Sequence, residues 1–322
     1  MTPYCWICSQ ETITKNVKLR SKKDATINYC FNCHFEFFRY DNSALLIGDQ
    51  LDKTRLESAG LNIPEMNKDF ENGYNQSLLY IADYLSLEDL EANILEIGCS
   101  WGYFLKAVKD FGAKPFGIEI NPIRKKYVED KLGIKCQNDI KNYISLNLKF
   151  KKIFSFYCLE YIQNPVSFFE KLINLLEDNG EIIFITPNLD DVLKNIWDNK
   201  GYQDFFYDEC AISYYSYKSV LIMAELLSKK NSFLYSQVYT KQGYSFFNHL
   251  NWYFNAKPIN NNSLVGGDCL IQDIEKILSA NKSKLSQSFL ELINNFDTKY
   301  KNLIEQNNLG NQIIIRLKKE LK

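Results

Sequence analysis

Ile94-Leu95-Glu96-Ile97-Gly98-Cys99-Ser100-Trp101-Gly102-Tyr103-Phe104 decides the class of fold. Its first four residues form a short, mainly apolar run of the kind that makes a buried strand. Two glycines follow within a tight turn. Phe104, Leu105, Ala107, Val108 and Phe111 then recur at helical spacing until Gly112 closes the pattern. Strand, glycine turn and helix together predict one α/β unit. Gly98 lets the backbone turn sharply and approach a ligand, and Gly102 permits tight packing where the helix begins. The G-x-G-x-x-G spacing that cradles a pyrophosphate is absent, so a dinucleotide is not the expected ligand.

The same rhythm continues downstream. Strands are predicted at residues 115–120, 135–137, 152–157 and 181–186, with helices at 122–132 and 165–177, the latter stopped by Asn179-Gly180. Strands alternating with helices predict a parallel sheet covered on both faces. Residues 188–215 are polar and aromatic, too long for a structureless connector, and read as a lid or binding loop. A helix at 217–228 and a strand at 232–239 resume the pattern. Residues 262–308 read as helices. Their stripe of Leu285, Phe289, Leu292, Ile293, Phe296, Tyr300, Leu303 and Ile304 is expected to pack against the domain, with a homodimer contact as the weaker alternative. Ile313-Ile314-Ile315 reads as a buried final strand. Upstream, residues 41–92 read as a polar connector ending in a helix with Leu78, Leu79, Ile81, Ala82 and Leu85; Ser86 and Glu88 suggest a following turn and cap.

An acidic residue ends the second strand of the α/β unit, at Glu119 in Phe116-Gly117-Ile118-Glu119-Ile120-Asn121-Pro122. A carboxylate there can accept both hydroxyls of a ribose. These stretches resemble class I S-adenosylmethionine-dependent methyltransferases. Residues 95–102 resemble their first motif, which usually has glycine where Ser100 stands. Gly117-Ile118-Glu119 resembles the second and Asn138-Asp139-Ile140 the third. Cys158-Leu159-Glu160-Tyr161-Ile162 resembles the fourth, which usually ends Leu-Glu-His, and residues 180–188 follow in order. The resemblance implies a Rossmann-like, seven-stranded methyltransferase sheet, with residues 312–317 as an antiparallel strand beside 181–186. It implies S-adenosylmethionine as cofactor and S-adenosylhomocysteine as product. The cofactor residues it implies are Glu96, Gly98, Cys99, Ser100, Gly102, Phe104, Glu119, Ile120, Asp139, Ile140, Cys158 and Leu159, with Asp139 on the adenine amino group.

The chain opens with Cys5-x2-Cys8, twenty-one intervening residues and Cys30-x2-Cys33. Two such knuckles can present four thiolates to one structural Zn2+, stapling a module too small to hold a core of its own. His34 is then a bystander, because four thiolates fill the shell. The remaining cysteines of the nine read as buried thiols in a reducing cytoplasm. With 322 residues and a net charge of −1, the chain exerts no general pull on nucleic acid or anionic membrane. Lys15, Lys18, Arg20, Lys22 and Lys23 form one local basic cluster, read as a solvated face. No stretch is long and apolar enough to span a membrane, and a cytoplasmic protein without a leader is expected. The expected organisation is a zinc-binding module at 1–40, a helical connector at 41–92 and a methyltransferase domain at 93–260. A helical insertion at 261–309 and the final strand at 310–322 complete it.

A zinc module joined to such a domain resembles the sugar methyltransferases of deoxysugar and surface-polysaccharide pathways. In their C-methyltransferases a Tyr-His-Glu-His segment supplies the base. The matching stretch here is Tyr207-Asp208-Glu209-Cys210, which keeps Glu209 but has Cys210 in place of the histidine base. Residues 242–252, with Asn248-His249-Leu250-Asn251-Trp252, resemble an Asn-His-Leu-x-Trp segment of methyltransferases encoded with glycan genes. His249 suits general-base work near neutral pH, though a histidine that hydrogen-bonds a loop is an equal reading. Trp252, Tyr253, Tyr214 and Tyr215 would stack on sugar rings or fill the core, and core packing is the expectation for each. The expected activity is O-methylation of a saccharide or nucleotide-linked sugar, with His249 and Glu209 as candidate catalytic residues. An RNA methyltransferase gripping its substrate through the zinc module, or a sugar C-methyltransferase, is the alternative.

Overall fold

The computed structural model describes residues 3–38, 66–257, 269–280 and 283–320, of which 66–69 and 269–273 are described as backbone alone. Most of the N-terminal connector (41–65) and the start of the helical insertion lie outside the described residues. A seven-stranded sheet dominates, in the order β10-β11-β8-β7-β4-β5-β6. Its strands are β4 (Asn93–Ile97), β5 (Lys114–Ile118), β6 (Lys135–Gln137), β7 (Phe150–Phe156), β8 (Leu176–Pro187), β10 (Leu234–Lys241) and β11 (Gln312–Lys319). β6, β5, β4, β7 and β8 run parallel to one another, whereas β11 is antiparallel to both β8 and β10. The final strand therefore lies where the resemblance implied.

Successive residues of a strand point to opposite faces, so a sheet covered on both sides needs apolar residues at every position. The central strands meet that demand. Ile94, Phe154, Ile183, Ile185 and Ile314 pack against α1 (Met66–Tyr84) and α2 (Tyr103–Phe111). Leu95, Ile97, Ile153, Ile182, Phe184, Ile313 and Ile315 pack on the other face with α5 (Pro165–Ile173) and α8 (Tyr217–Lys230). Helices α3 (Pro122–Leu132) and α4 (Lys141–Ser145) flank β6.

A second sheet has the order β1-β2-β3-β9, from β1 (Ile13–Lys18), β2 (Asp24–Tyr29), β3 (Glu36–Phe37) and β9 (Ser213–Tyr214). Its fourth strand thus comes from the segment after β8. Cys5, Ile7, Cys30, Cys33, Phe35 and Phe37 belong to the same core as β4 and β8. The N-terminal module therefore shares its core with the large domain.

Four expectations change. Helix α5 ends at Ile173, not at 177, because Leu175 and Leu176 turn inward and Leu176 pairs with Phe150. Asn179-Gly180 consequently lies inside β8, where Asn179 takes the left-handed φ of 60° that Asn tolerates. Residues 188–215 are structured, with α6 (Val192–Asn195), α7 (Lys200–Phe206) and β9, which pairs with β3. Of the basic cluster, Lys18, Lys22 and Lys23 are exposed as a solvated face requires, whereas Lys15 and Arg20 turn inward to pair with Glu36 and Asp208.

The fourth concerns the insertion, whose described part is α9 (Phe246–Asn255), α10 (Cys269–Ala280) and α11 (Lys284–Gln306). Most of the apolar stripe of α11 does not pack against the domain. Leu285, Phe289, Leu292, Phe296 and Leu303 are exposed, Ile293 and Tyr300 are half-buried, and only Ile304 of the stripe is buried, alongside the polar Ser286 and Asp297. Polar docking explains this. Asp297 Oδ1 accepts from the backbone N–H of Phe246 at 2.8 Å and Asp297 Oδ2 pairs with Lys301 at 2.8 Å, while Tyr300 meets His249. Among the described residues no helix is long and apolar enough to cross a membrane.

Candidate functional site

The turn after β4 carries three left-handed residues, Gly98 (φ 74°), Ser100 (φ 49°) and Gly102 (φ 82°). Both glycines are required sterically. A Cβ at Gly98 would lie 2.6 Å from Cys158 Sγ, and one at Gly102 would lie 2.7 Å from Leu132 Cδ1. Ser100 adopts the conformation of the glycine it replaces, at a cost of about 1 kcal/mol, and its hydroxyl accepts a hydrogen bond from Arg124 Nη1 at 3.2 Å. The N–H groups of Gly98 and Cys99 donate to Ile118 O at 2.8 and 3.0 Å, which ties the turn to the end of β5.

Glu119 follows directly. Its Oε2 accepts from Ser100 N–H and its Oε1 from Asn121 N–H, both at 2.8 Å. Burial raises its pKa, opposed by those backbone donors. Glu96 is deeper, and burial holds its carboxyl well above the usual range. Its Oε2 is buried with no hydrogen-bond partner, a costly state that a bound polar group would relieve. Next to Glu119, Ile120 is 62% exposed. Asp139 Oδ1 accepts from Lys141 N–H at 2.9 Å at the end of β6, and Ile140 is buried beside it. The expected cofactor residues are thus brought to one edge of the sheet, with two exceptions in kind. Phe104 and Leu159 are core side chains, 2% and 0% exposed, leaving only backbone to face a ligand.

Two residues that local patterns did not single out complete this edge. Arg124, on the first turn of α3, lies with its guanidinium 5.5 Å from the Trp101 ring centroid and is 7% exposed. Tyr157 follows β7 with φ 52°, an uncommon conformation for an aromatic residue, and its hydroxyl bonds Gln312 Nε2. The helical offset from Asn121 could have flagged Arg124. Nothing in the sequence signals the backbone of Tyr157.

A model of a family described as a methyltransferase domain matches residues 66–231. The chain belongs to this family. Its α/β domain is accordingly an S-adenosylmethionine-dependent methyltransferase domain. A curated relative, malonyl-[acyl-carrier protein] O-methyltransferase 1 of Ilyobacter polytropus, is 30% identical over 147 residues, covering 42% of this chain and 53% of its own. The chain thus spans about half the length of that relative. Similar solved structures include a plantazolicin methyltransferase in complex with a pentazolic desmethyl analogue and S-adenosylhomocysteine. It has 16% identity and a TM-score of 0.48, over 84% of this chain and 91% of that one. Another is a methyltransferase from Archaeoglobus fulgidus, at 15% identity and TM-score 0.47, over 80% of this chain and 100% of its own.

The candidate catalytic residues are not brought together. His249 is fully buried on α9. The Gln242 side-chain amide contacts its Nε2 at 3.2 Å and Tyr300 Oη its Nδ1 at 2.6 Å. An amide N–H can only donate, so Nε2 accepts and Nδ1 carries the proton. The lone pair a base would use is therefore occupied, and burial lowers the imidazole to about 4. Glu209 Oε1 accepts from Ser21 N–H at 2.6 Å, in the turn of the N-terminal module. Cys210, Tyr214, Tyr215 and Trp252 are buried, whereas Tyr253 is exposed and does not fill the core.

A carboxyl missed in the sequence lies beyond β8. Asp191 caps α6 by accepting from Leu193 N–H at 2.7 Å, and its Oδ2 accepts from Tyr202 Oη at 3.1 Å. Burial pushes it up to about 7. The folded protein holds this proton where the unfolded chain, titrating near 4, has released it. Stability from this group is present below pH 4 and is lost as pH rises towards 7. Asp191→Asn is therefore expected to raise the thermal midpoint relative to wild type more at pH 8 than at pH 5, by about 2–4 °C. Calorimetric scans at both values check this; an equal offset at the two would place the Asp191 pKa in the ordinary range.

Cys5, Cys8, Cys30 and Cys33 form the one such cluster among the described residues, their sulfurs all within 4.8 Å of one another. Cys5–Cys33, Cys8–Cys30 and Cys8–Cys33 are 3.5, 3.4 and 3.6 Å apart. Tetrahedral zinc with bonds of about 2.3 Å needs sulfurs roughly 3.8 Å apart, so the four fit the ion. His34 points elsewhere, towards the Tyr29 ring.

Proposed function

We propose that the chain transfers a methyl group from S-adenosylmethionine to an oxygen of a saccharide or nucleotide-linked sugar. The observation that carries the cofactor half is the Gly98–Gly102 turn facing Glu119, beside a buried Glu96 oxygen without a partner. In this reading Glu119 holds the ribose, Ile120 and Ile140 line the adenine, and Asp139 receives its amino group. Gly98, Cys99, Ser100, Gly102 and Cys158 shape the turn, and Glu96 receives the amino end. Bound there, the cofactor supplies an electrophilic methyl group for in-line displacement. The acceptor half rests on the resemblance of residues 207–216 and 242–252 to sugar methyltransferases. Proton removal falls to neither His249 nor Glu209. Asp191, directly beyond β8 and bonded to the Tyr202 hydroxyl, is the carboxyl best suited to take the acceptor's proton. The four cysteines hold a structural Zn2+, and the exposed stripe of α11 is where a second copy would pack into a homodimer.

Calorimetry with S-adenosylhomocysteine tests the cofactor half, and no heat from folded protein would end it. Transfer of label from S-adenosylmethionine to a panel of nucleotide sugars tests the acceptor class. His249→Gln is expected to lower the thermal midpoint by about 5 °C, from two altered buried hydrogen bonds, while product affinity stays within about threefold. A much larger loss of affinity would return His249 to the site.

A further inference from the structure

The segment from Asp204 to Ser216 is fastened to the N-terminal module along its whole length. β9 is the edge strand of the module's sheet, pairing Glu36 with Tyr214 and Phe37 with Ser213. Arg20 is the main bolt. Its N–H donates to Tyr207 O at 2.7 Å, its Nε to Phe205 O at 2.9 Å and its Nη1 to Asp208 Oδ2 at 2.9 Å. Its guanidinium also covers the Phe205 ring at 3.9 Å. Ser21 N–H reaches Glu209, and Phe38 N–H donates to Ile212 O at 2.9 Å. Lys15 and Tyr207 share the buried Glu36, with Tyr207 Oη donating to Glu36 Oε2 at 2.8 Å. The last contact reaches the cysteines themselves, where Ser216 Oγ donates to Cys33 O at 3.1 Å.

The module cannot hold this shape alone. It has two six-residue strands and a two-residue strand, too few for an independent core. The Cys5–Cys8 and Cys30–Cys33 turns are brought together through their sulfurs, so a bound metal closes the frame on which the segment hangs. The cofactor turn takes its contacts elsewhere, from Ile118, Glu119, Arg124 and Cys158. We propose that metal bound by Cys5, Cys8, Cys30 and Cys33 holds residues 204–216 in place, so that this wall is metal-dependent and the cofactor turn is not. Arg20 is its positioning residue. The proposal rests on reading the four thiols as a metal site, and it makes the zinc module the support of the segment next to Asp191 and Tyr202.

Hydrogen exchange by mass spectrometry on the full chain tests it, with zinc content measured in parallel. Stripping the metal is expected to speed exchange at least tenfold in peptides spanning 13–38 and 204–216. Peptides spanning 93–121 should stay unchanged, S-adenosylhomocysteine affinity should stay within threefold, and added zinc should restore protection. Protection of 204–216 that survives while 13–38 opens would overturn the proposal, as would equal loosening of 93–121. Arg20→Ala, which leaves the thiols in place, is expected to retain zinc and still loosen 204–216 tenfold. A variant with unchanged protection there would also overturn it, and it decides the matter should stripping unfold the whole chain. Failure of the metal-loaded protein to bind S-adenosylhomocysteine counts against the cofactor reading alone, because the exchange result is scored without ligand.

Discussion

Glu119→Ala is expected to remove measurable binding of S-adenosylhomocysteine while leaving the protein folded. The buried carboxylate directly follows β5 and faces the cofactor turn.

 Glu119 Oε1 and Oε2 each take one backbone N–H, from Asn121 and Ser100, and each keeps a lone pair for a ribose hydroxyl. Hydrogen bonds to a charged group contribute about 1.5–3 kcal/mol apiece, so losing two weakens binding by roughly 100-fold or more. The alanine also leaves the Ser100 N–H without its acceptor, in a residue already held at a left-handed φ of 49°. Calorimetry reads the affinity, and far-ultraviolet circular dichroism checks the fold. Retention of wild-type affinity in a folded Glu119→Ala protein would remove Glu119 from the cofactor site.

The second large effect is expected at the cysteines. Replacing Cys30 and Cys33 together by serine should take zinc from one ion per chain to near none and lower the thermal midpoint by about 10 °C. Structural zinc binding is worth on the order of 10–16 kcal/mol in small modules, and only part of it has to support the rest of the fold. A loss of about 3–5 kcal/mol at roughly 2–4 °C per kcal/mol gives the stated shift. The effect should reach residues 204–216 as well as the module, because β9 pairs with β3 and Ser216 donates to Cys33 O. Elemental analysis and scanning calorimetry check both parts. A doubly substituted protein that keeps its zinc, or melts with wild type, would sink the four-thiolate site.

Much of the architecture was legible because its signals are local. The strand-turn-helix of residues 94–111 is written in hydrophobic spacing and in glycines that only a left-handed backbone needs. The helix at 122–132 and the strand at 135–137 match their expected bounds, each marked by Pro122, Gly133 or a short apolar run. The cysteine spacing was equally plain, since two knuckles specify their own ligand geometry. Edges were less so. The end of α5 moved inward because Leu176 gains more from pairing with Phe150 than from another helical turn, and a pattern of apolar residues cannot choose between those burials.

The sequence by itself determined the α/β order, the glycine turn with Glu119 opposite it, and four cysteines spaced for a metal. Each depends on residues near one another in the chain, where spacing and backbone preference act directly. Only the tertiary structure decided the rest. It placed Gln242 and Tyr300 on the two nitrogens of His249, Asp191 under Tyr202, and Arg20 on the segment around Tyr207. It also left most of the α11 stripe exposed, because Asp297 and Tyr300 dock that helix by hydrogen bonds. Whether a polar side chain is free to act depends on which partners the fold brings within about 3 Å, and those partners lie far away in sequence.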